Sequence, residues 1–175
     1  MILPIFQYPH PSLRQVCKPV DLSTGEARYR ANTLVNNIAE TMYNAKGVGI
    51  SAPQVGVFEQ IVIVDVGERG AEHLKVLINP TVIHSTGKSI FKEGCLSVPG
   101  VYEQVERAAV IRVWYWNLFG ERLEQVYDGF LATVLQHEID HLSGVLFIDK
   151  LSRLKRTMAL KYISVPAYPR SKING

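Results

Sequence analysis

The sequence predicts a single α+β domain in which antiparallel or mixed β-sheet surrounds a central helix. Three observations carry this: a 3.6-residue apolar period near the N-terminus, short β-branched and aromatic runs from Gln60 to Glu124, and a second helical period after them. At 175 residues the chain is long enough to bury a core without disulfides, and no internal repeat, low-complexity tract or linker divides it, so residues 1–175 are expected to form one unit.

The first helix is predicted over residues 24–45. Leu34, Val35, Ile38, Met42 and Ala45 recur at helical spacing, Ser23 with Glu26 has the form of a capping box, and Gly47 supplies a stop. Strands are expected at Gln60–Val66, Lys75–Ile78 and Ala109–Asn117, with a turn at Leu118–Glu121 leading to a partner strand at Arg122–Tyr127. Within Val110–Asn117 both alternating sets carry large side chains, so this strand is expected to be covered on both faces. Trp114 and Trp116 are read as core or hairpin-face residues. The stretch from Glu93 to Gly100, bounded by glycine and proline, is read as a loop. A second helix is predicted over 129–143 with Gly144 as its stop. A short basic helix at about 151–162 then precedes a tail broken by Pro166 and Pro169.

Composition excludes several classes. Hydrophobic residues make up 47% and charged residues 20%, a globular usage, and no apolar run approaches a membrane span. The N-terminus has neither the pattern of a secretory signal nor that of an Arg-rich transit peptide, so a cytoplasmic location with Cys17 and Cys95 as reduced thiols is expected. Charge is uneven: residues 150–175 carry seven Lys/Arg and no acid, whereas the other 149 residues carry 12 Lys/Arg against 16 Asp/Glu. This basic end is either a solvated surface helix and tail or a contact for an anionic partner such as RNA.

The chemistry centres on the second helix, which reads Gln136-His137-Glu138-Ile139-Asp140-His141. This matches H-E-x-x-H: residues four apart share a helix face, so His137 and His141 can reach one metal ion, and Glu138 can lean toward a water on it as general base. An open catalytic site needs a third protein ligand. No His or Glu follows His141, so the search turns upstream to Glu93-Gly94-Cys95-Leu96-Ser97, where Cys95 offers a thiolate. Cys17, without such neighbours, is read as a buried apolar thiol. A third segment, Gly47-Val48-Gly49-Ile50-Ser51-Ala52-Pro53-Gln54, combines glycines that allow close backbone approach with the amide donor of Gln54. A hydrolase requires such donors where negative charge develops.

Together these three segments resemble the signature motifs of the peptide deformylase family, usually written G-x-G-x-A-A-P-Q, E-G-C-L-S and Q-H-E-x-D-H-L, in the same order and at similar separations. The resemblance implies a hydrolase that removes the formyl group from the N-terminal formylmethionine of nascent polypeptides. It implies Cys95, His137 and His141 as ligands of a catalytic Fe²⁺, for which Zn²⁺, Ni²⁺ or Co²⁺ can substitute, and Glu138 as base and then acid. Gln54 and the backbone N–H of Leu96 are implied as holders of the formyl oxygen. Gly49 is implied to hold the extended peptide, with Glu93 supporting the site; Val134, three residues before His137, is a candidate wall of the methionine pocket. Nascent chains as substrates suggest the ribosome as the partner of the basic end; neither DNA nor membrane is expected. Ser51 in place of the usual Ala, and the stretch Val101-Tyr102-Glu103-Gln104, depart from the family pattern. Ser51 adds a hydroxyl that needs a partner but removes no catalytic group, and the 101–104 stretch bears on peptide-backbone contacts and inhibitor preference, not on the chemistry.

Two other readings remain at this point. A metallopeptidase of the H-E-x-x-H class predicts a downstream His or Glu ligand and gives Cys95 no use. A structural metal or RNA-binding module predicts a fourth protein ligand, such as a second Cys near the first.

Overall fold

The computed structural model describes residues 1–67, 73–161 and 163. Helix α1 (Gly25–Asn44) is followed by β1 (Gly49–Ser51), β2 (Ile61–Val64), β3 (Lys75–Thr86), β4 (Ser89–Cys95), β5 (Val98–Arg107), β6 (Val110–Trp116), β7 (Arg122–Asp128), α2 (Gly129–His141) and α3 (Arg153–Lys161). Five strands form one antiparallel sheet in the order β1-β2-β3-β6-β7, and β4 with β5 forms a separate two-stranded antiparallel sheet.

The layers follow from the apolar pattern. Val35, Ile38 and Met42 of α1 pack with Ile50, Ile61, Ile63 and Ile78 on one face of the large sheet. Ala132, Val134 and Leu135 of α2 pack with Val62, Val64, Ile111 and Val113 on the other. Strand β2 is therefore buried at all four positions, which explains its unbroken Ile-Val-Ile-Val run. Each such Ile removed from water contributes about 1.5–3 kcal/mol before conformational entropy is counted. A third cluster, from Val98, Val105, Phe147, Ile148 and Ala159, packs the small sheet against the C-terminal segment, and the Phe147 ring lies 5.8 Å from that of His137 on α2. The predicted central helix is thus α2, enclosed by both sheets.

Several expectations are corrected. The N-cap of α1 is Thr24, whose Oγ accepts from the Ala27 N–H at 3.1 Å; Ser23 is instead tied to Asp21 through its backbone N–H, so no Ser23–Glu26 box forms. The left-handed residue after α1 is Lys46, at φ 58°, rather than Gly47. Strand β3 is far longer than Lys75–Ile78, because register shifts after Ile78 and Val82 let it pass Pro80 and continue to Thr86. The segment 93–100 is no loop: β4 runs to Cys95, Leu96 and Ser97 make a two-residue turn, and β5 begins at Val98. Strand β6 is covered on one face only. Trp114 and Trp116 stay 39% and 38% exposed, and the Arg122 guanidinium lies 3.9 Å over the Trp114 ring, so charged cross-strand neighbours shield that face in place of a packed layer.

Gly144 ends α2 as expected, at φ 71°; a Cβ there would lie 2.6 Å from the Arg14 carbonyl oxygen, so the N-terminal segment fixes the stop as firmly as the backbone angle does. No helix among the described residues is long and apolar enough to cross a membrane. Three of the predicted basic residues are engaged by acids of the body: Lys150 with Asp140, Lys155 with Glu103 and Arg156 with Asp149. Tyr162, Pro166, Pro169, Arg170 and Lys172 lie outside the described residues.

Candidate metal centre and active site

The helical and strand periods bring the site together. His137 and His141 are one turn apart on α2, with ring centroids 5.1 Å from each other. Glu93 and Cys95, two apart on β4, share the strand face turned toward that helix. One ligand atom each from Cys95, His137 and His141 lies within 4.8 Å of the others; Cys95 Sγ is 3.3 Å from His141 Nε2. Cys17 is buried in the apolar core, where burial pushes its thiol up to about 11, in keeping with an inert side chain.

The surroundings fit a divalent cation. His137 Nδ1 is 2.8 Å from Glu93 Oε2, which leaves Nε2 facing the cluster. Burial alone would lower the His137 pKa, yet Cys95, Glu93 and Glu138 outweigh it and raise it well above the ordinary histidine value. The same anionic surroundings that hold a proton there favour a cation in its place. His141 moves the other way, its pKa depressed by burial and by the neighbouring His137, so it is a neutral donor. The donor set of one thiolate and two imidazoles, with no fourth protein ligand in the cluster among the described residues, is that of an open site. A closed structural site is thereby disfavoured.

Glu138, 4% exposed, stands beside the cluster, and its Oε2 has no hydrogen-bond partner among the described residues. Burial, only partly offset by His137, a Ser51 hydrogen bond and Arg107, raises its pKa to about 7. Gly49 is required here because a Cβ would lie 2.7 Å from Glu138 Oε1 and 2.8 Å from Val134 Cγ1. Its glycine thus admits α2 against β1, while β1 stays at the open edge of the large sheet.

Gln54 is 1% exposed and fully oriented: Oε1 accepts from the Ser51 N–H at 2.8 Å and the Ser51 hydroxyl at 3.0 Å, and Nε2 donates to Ser97 Oγ at 3.1 Å and toward Cys95 Sγ at 3.6 Å. The extra hydroxyl of Ser51 therefore has its partner. Leu96 sits in the β4–β5 turn, and its N–H has no acceptor among the described residues. Glu93 is engaged within the protein. Oε1 accepts from Arg107 Nε; Oε2 accepts from Arg107 Nη2 at 2.9 Å and faces His137 Nδ1, so the carboxylate is consumed in holding a ligand. Burial would raise its pKa, but hydrogen bonds from His137 and Arg107 outweigh this and keep it ionised.

Arg107 and Asp140 went unmarked in the sequence. Arg107 is 3% exposed in its side chain, bonds Glu93, and reaches Asp140 at 2.8 Å; Asp140 also receives Lys150 at 3.0 Å. An Arg at the end of a strand carries no local signal of burial.

A cleft of about 390 Å³ opens onto these groups, lined at depth by Gly49, Cys95, Val134, His137 and Glu138 and at its mouth by Lys46, Lys92, Tyr102 and Phe130. Val134 lines this cleft beside the cluster. Residues 2–157 match the model of the polypeptide deformylase family. The chain belongs to the peptide deformylase family. A peptide deformylase of Alkalilimnicola ehrlichii is 46% identical over 155 residues, covering 89% of this chain and 85% of that protein. The crystal structure of a peptide deformylase from Legionella pneumophila superposes with a TM-score of 0.84 at 42% identity, covering 92% of each chain. A Met-Ala-Ser-bound peptide deformylase from Acinetobacter baumannii superposes with a TM-score of 0.78 at 33% identity, covering 86% of this chain and 99% of that one. The α+β fold and the deformylase reading of the motifs therefore hold, and the metallopeptidase and RNA-module readings lose their basis.

Proposed function

We propose that this chain removes the formyl group from the N-terminal formylmethionine of newly made polypeptides by hydrolysis, releasing formate, with residues 1–175 acting as one catalytic unit. The observation that carries the mechanism is Glu138 Oε2, without a hydrogen-bond partner among the described residues, beside the Cys95, His137 and His141 cluster that lines a cleft. Cys95, His137 and His141 would hold the ion, which we assign as Fe²⁺, with Zn²⁺, Ni²⁺ and Co²⁺ as substitutes. When bound, such an ion supplies Lewis acidity that lowers the pKa of water at the site.

The remaining steps belong to the chain's own groups. Glu138 takes the proton of the water that attacks the formyl carbon, and later gives it to the departing amine nitrogen as the C–N bond breaks. The free Leu96 N–H and the Gln54 amide receive the oxygen on which charge builds. Of the two Gln54 donor contacts, that to Cys95 at 3.6 Å is the weaker and the one available for this exchange. Val134 bounds the methionine side chain. Gly49, on the free edge of β1, meets the extended peptide through its backbone. The peptide named with the Acinetobacter baumannii structure, Met-Ala-Ser, begins with the residue this reading places in the pocket.

The test is formate release from formyl-Met-Ala-Ser beside cleavage of an internally quenched peptide. Formate release alone is expected; it should vanish on chelation and return with Fe²⁺ added without oxygen. Cleavage of the quenched peptide alone would sink the proposal. Metal analysis of anaerobically purified protein, with activity followed on air exposure, checks the ion, since ferrous ion and a thiolate are both oxidised in air.

We further propose a cytoplasmic location and a ribosome contact made by the basic end. Removal of residues 165–175 should weaken ribosome co-sedimentation at low salt; unchanged binding counts against that segment.

A further inference from the structure

We propose that Lys46 and Lys92 make this enzyme selective for formyl-Met peptides with acidic side chains just after the methionine. The inference rests on the deformylase reading above and specifies its substrate class.

Lys46 follows α1 and Lys92 lies on β4, so the two come from separate segments that both line the cleft mouth. Lys46 is held at φ 58° in the turn after the helix, its N–H bonded to the Tyr43 carbonyl at 3.0 Å. The Lys92 ammonium lies 6.0 Å over the Tyr102 ring, and that ring presses on Gly94 so closely that a Cβ there would lie 2.5 Å from Tyr102 Cε1. The Lys46 backbone and the Lys92 ammonium are therefore both held in place. Neither has an anionic partner among the described residues. Nearby acids are taken: Glu103 pairs with Lys155 at 3.5 Å, and Lys88 pairs with Glu106 at 2.8 Å. The acids that do line the cleft, Glu93 and Glu138, are buried at its base, 6% and 4% exposed.

The substrate side of the balance is simple. A formylated N-terminus carries no charge, so the charges a peptide brings to this mouth are those of its following side chains. In an extended peptide the two residues after the methionine lie within about 7 Å of it along the chain. Acidic side chains there meet two cations that have no anionic partner among the described residues, and basic ones meet repulsion.

The experiment compares kcat/KM for formyl-Met-Ala-Ala, formyl-Met-Glu-Glu and formyl-Met-Lys-Lys, C-terminally amidated, in wild type and in K46E/K92E. Exposed charge pairs are individually weak, so the expected Glu-to-Lys preference of the wild type is about threefold to tenfold at low ionic strength. It should fall toward one at about 0.5 M salt, where screening acts within a few ångströms. In K46E/K92E the ratio should invert. Because the readout is a ratio of two substrates on one protein, partial loss of folded enzyme cancels. A wild-type ratio of one, or a preference that survives in K46E/K92E, overturns the proposal. Absence of formate from formyl-Met-Ala-Ala would instead overturn the deformylase reading itself.

Discussion

Glu138→Gln is expected to lower formate release by about 10²- to 10⁴-fold, the usual contribution of a positioned general acid/base, while the protein keeps its metal. The reason is a division of labour within one helix turn: His137 and His141 supply ligand atoms to the cluster, whereas Glu138 adjoins it with Oε2 unpartnered. Gln conserves volume against Gly49 and Val134, where a Cβ on Gly49 would already lie 2.7 Å from Glu138 Oε1, so the packing of α2 on β1 should persist. Activity and metal content measured on the same preparation decide the matter. Metal lost together with activity would show that Glu138 acts in binding the ion. Protonation offers an independent check. In the metal-free protein the carboxyl should titrate near the value of about 7 to which burial raises it. A cation beside it favours the carboxylate. The loaded enzyme should therefore gain activity with rising pH through a lower value than the metal-free titration, because the base works only when deprotonated.

The parts of the site legible in the sequence are those whose chemistry and period coincide. H-E-x-x-H on a helix sets two candidate ligands on one face by spacing, and the same period sets Val134 on that side. Cys95 was reachable because no His or Glu follows His141. The loop reading of 93–100 failed for a physical reason: Gly94, Pro99 and Gly100 are loop residues by propensity, but β4 and β5 form an isolated hairpin whose register already slips between Glu93 and Cys95, and such a ladder tolerates them. That slip lies where the strand delivers Cys95. The two-sided cover expected for β6 failed because large side chains on both faces do not reveal what covers each. Val113 and Tyr115 meet the core; Trp114 meets Arg122. Arg107 was hidden for a similar reason. Its burial depends on Glu93, 14 residues earlier, and Asp140, 33 residues later, and no local period reports that meeting.

Arg107 also yields the largest expected effect on stability. Arg107→Met leaves the 5% exposed Glu93 carboxylate without its two guanidinium donors, and breaking a buried pair on one side costs about 3–5 kcal/mol. Urea unfolding of the metal-free protein in chelator reads this without the contribution of a bound ion. If the cost comes from stranding Glu93, Glu93→Gln added to Arg107→Met should recover part of it, with a coupling of about 0.5–3 kcal/mol. Strict additivity of the two changes would place the damage elsewhere, in the Arg107 contact to Asp140. The pH dependence distinguishes them further. Glu93 is held below its ordinary pKa, so its contribution is present above the unfolded value of about 4.3 and is lost as pH falls through the depressed folded value. Arg107→Met removes much of that depression, and its acid unfolding should begin at higher pH than that of the wild type. Glu93→Gln alone should weaken metal affinity by about 10–100-fold, because His137 Nδ1 loses the carboxylate that orients it. Arg107, which is not among the three clustered ligand residues, would then act on both the fold and the ion site through the Glu93 carboxylate it shares with His137.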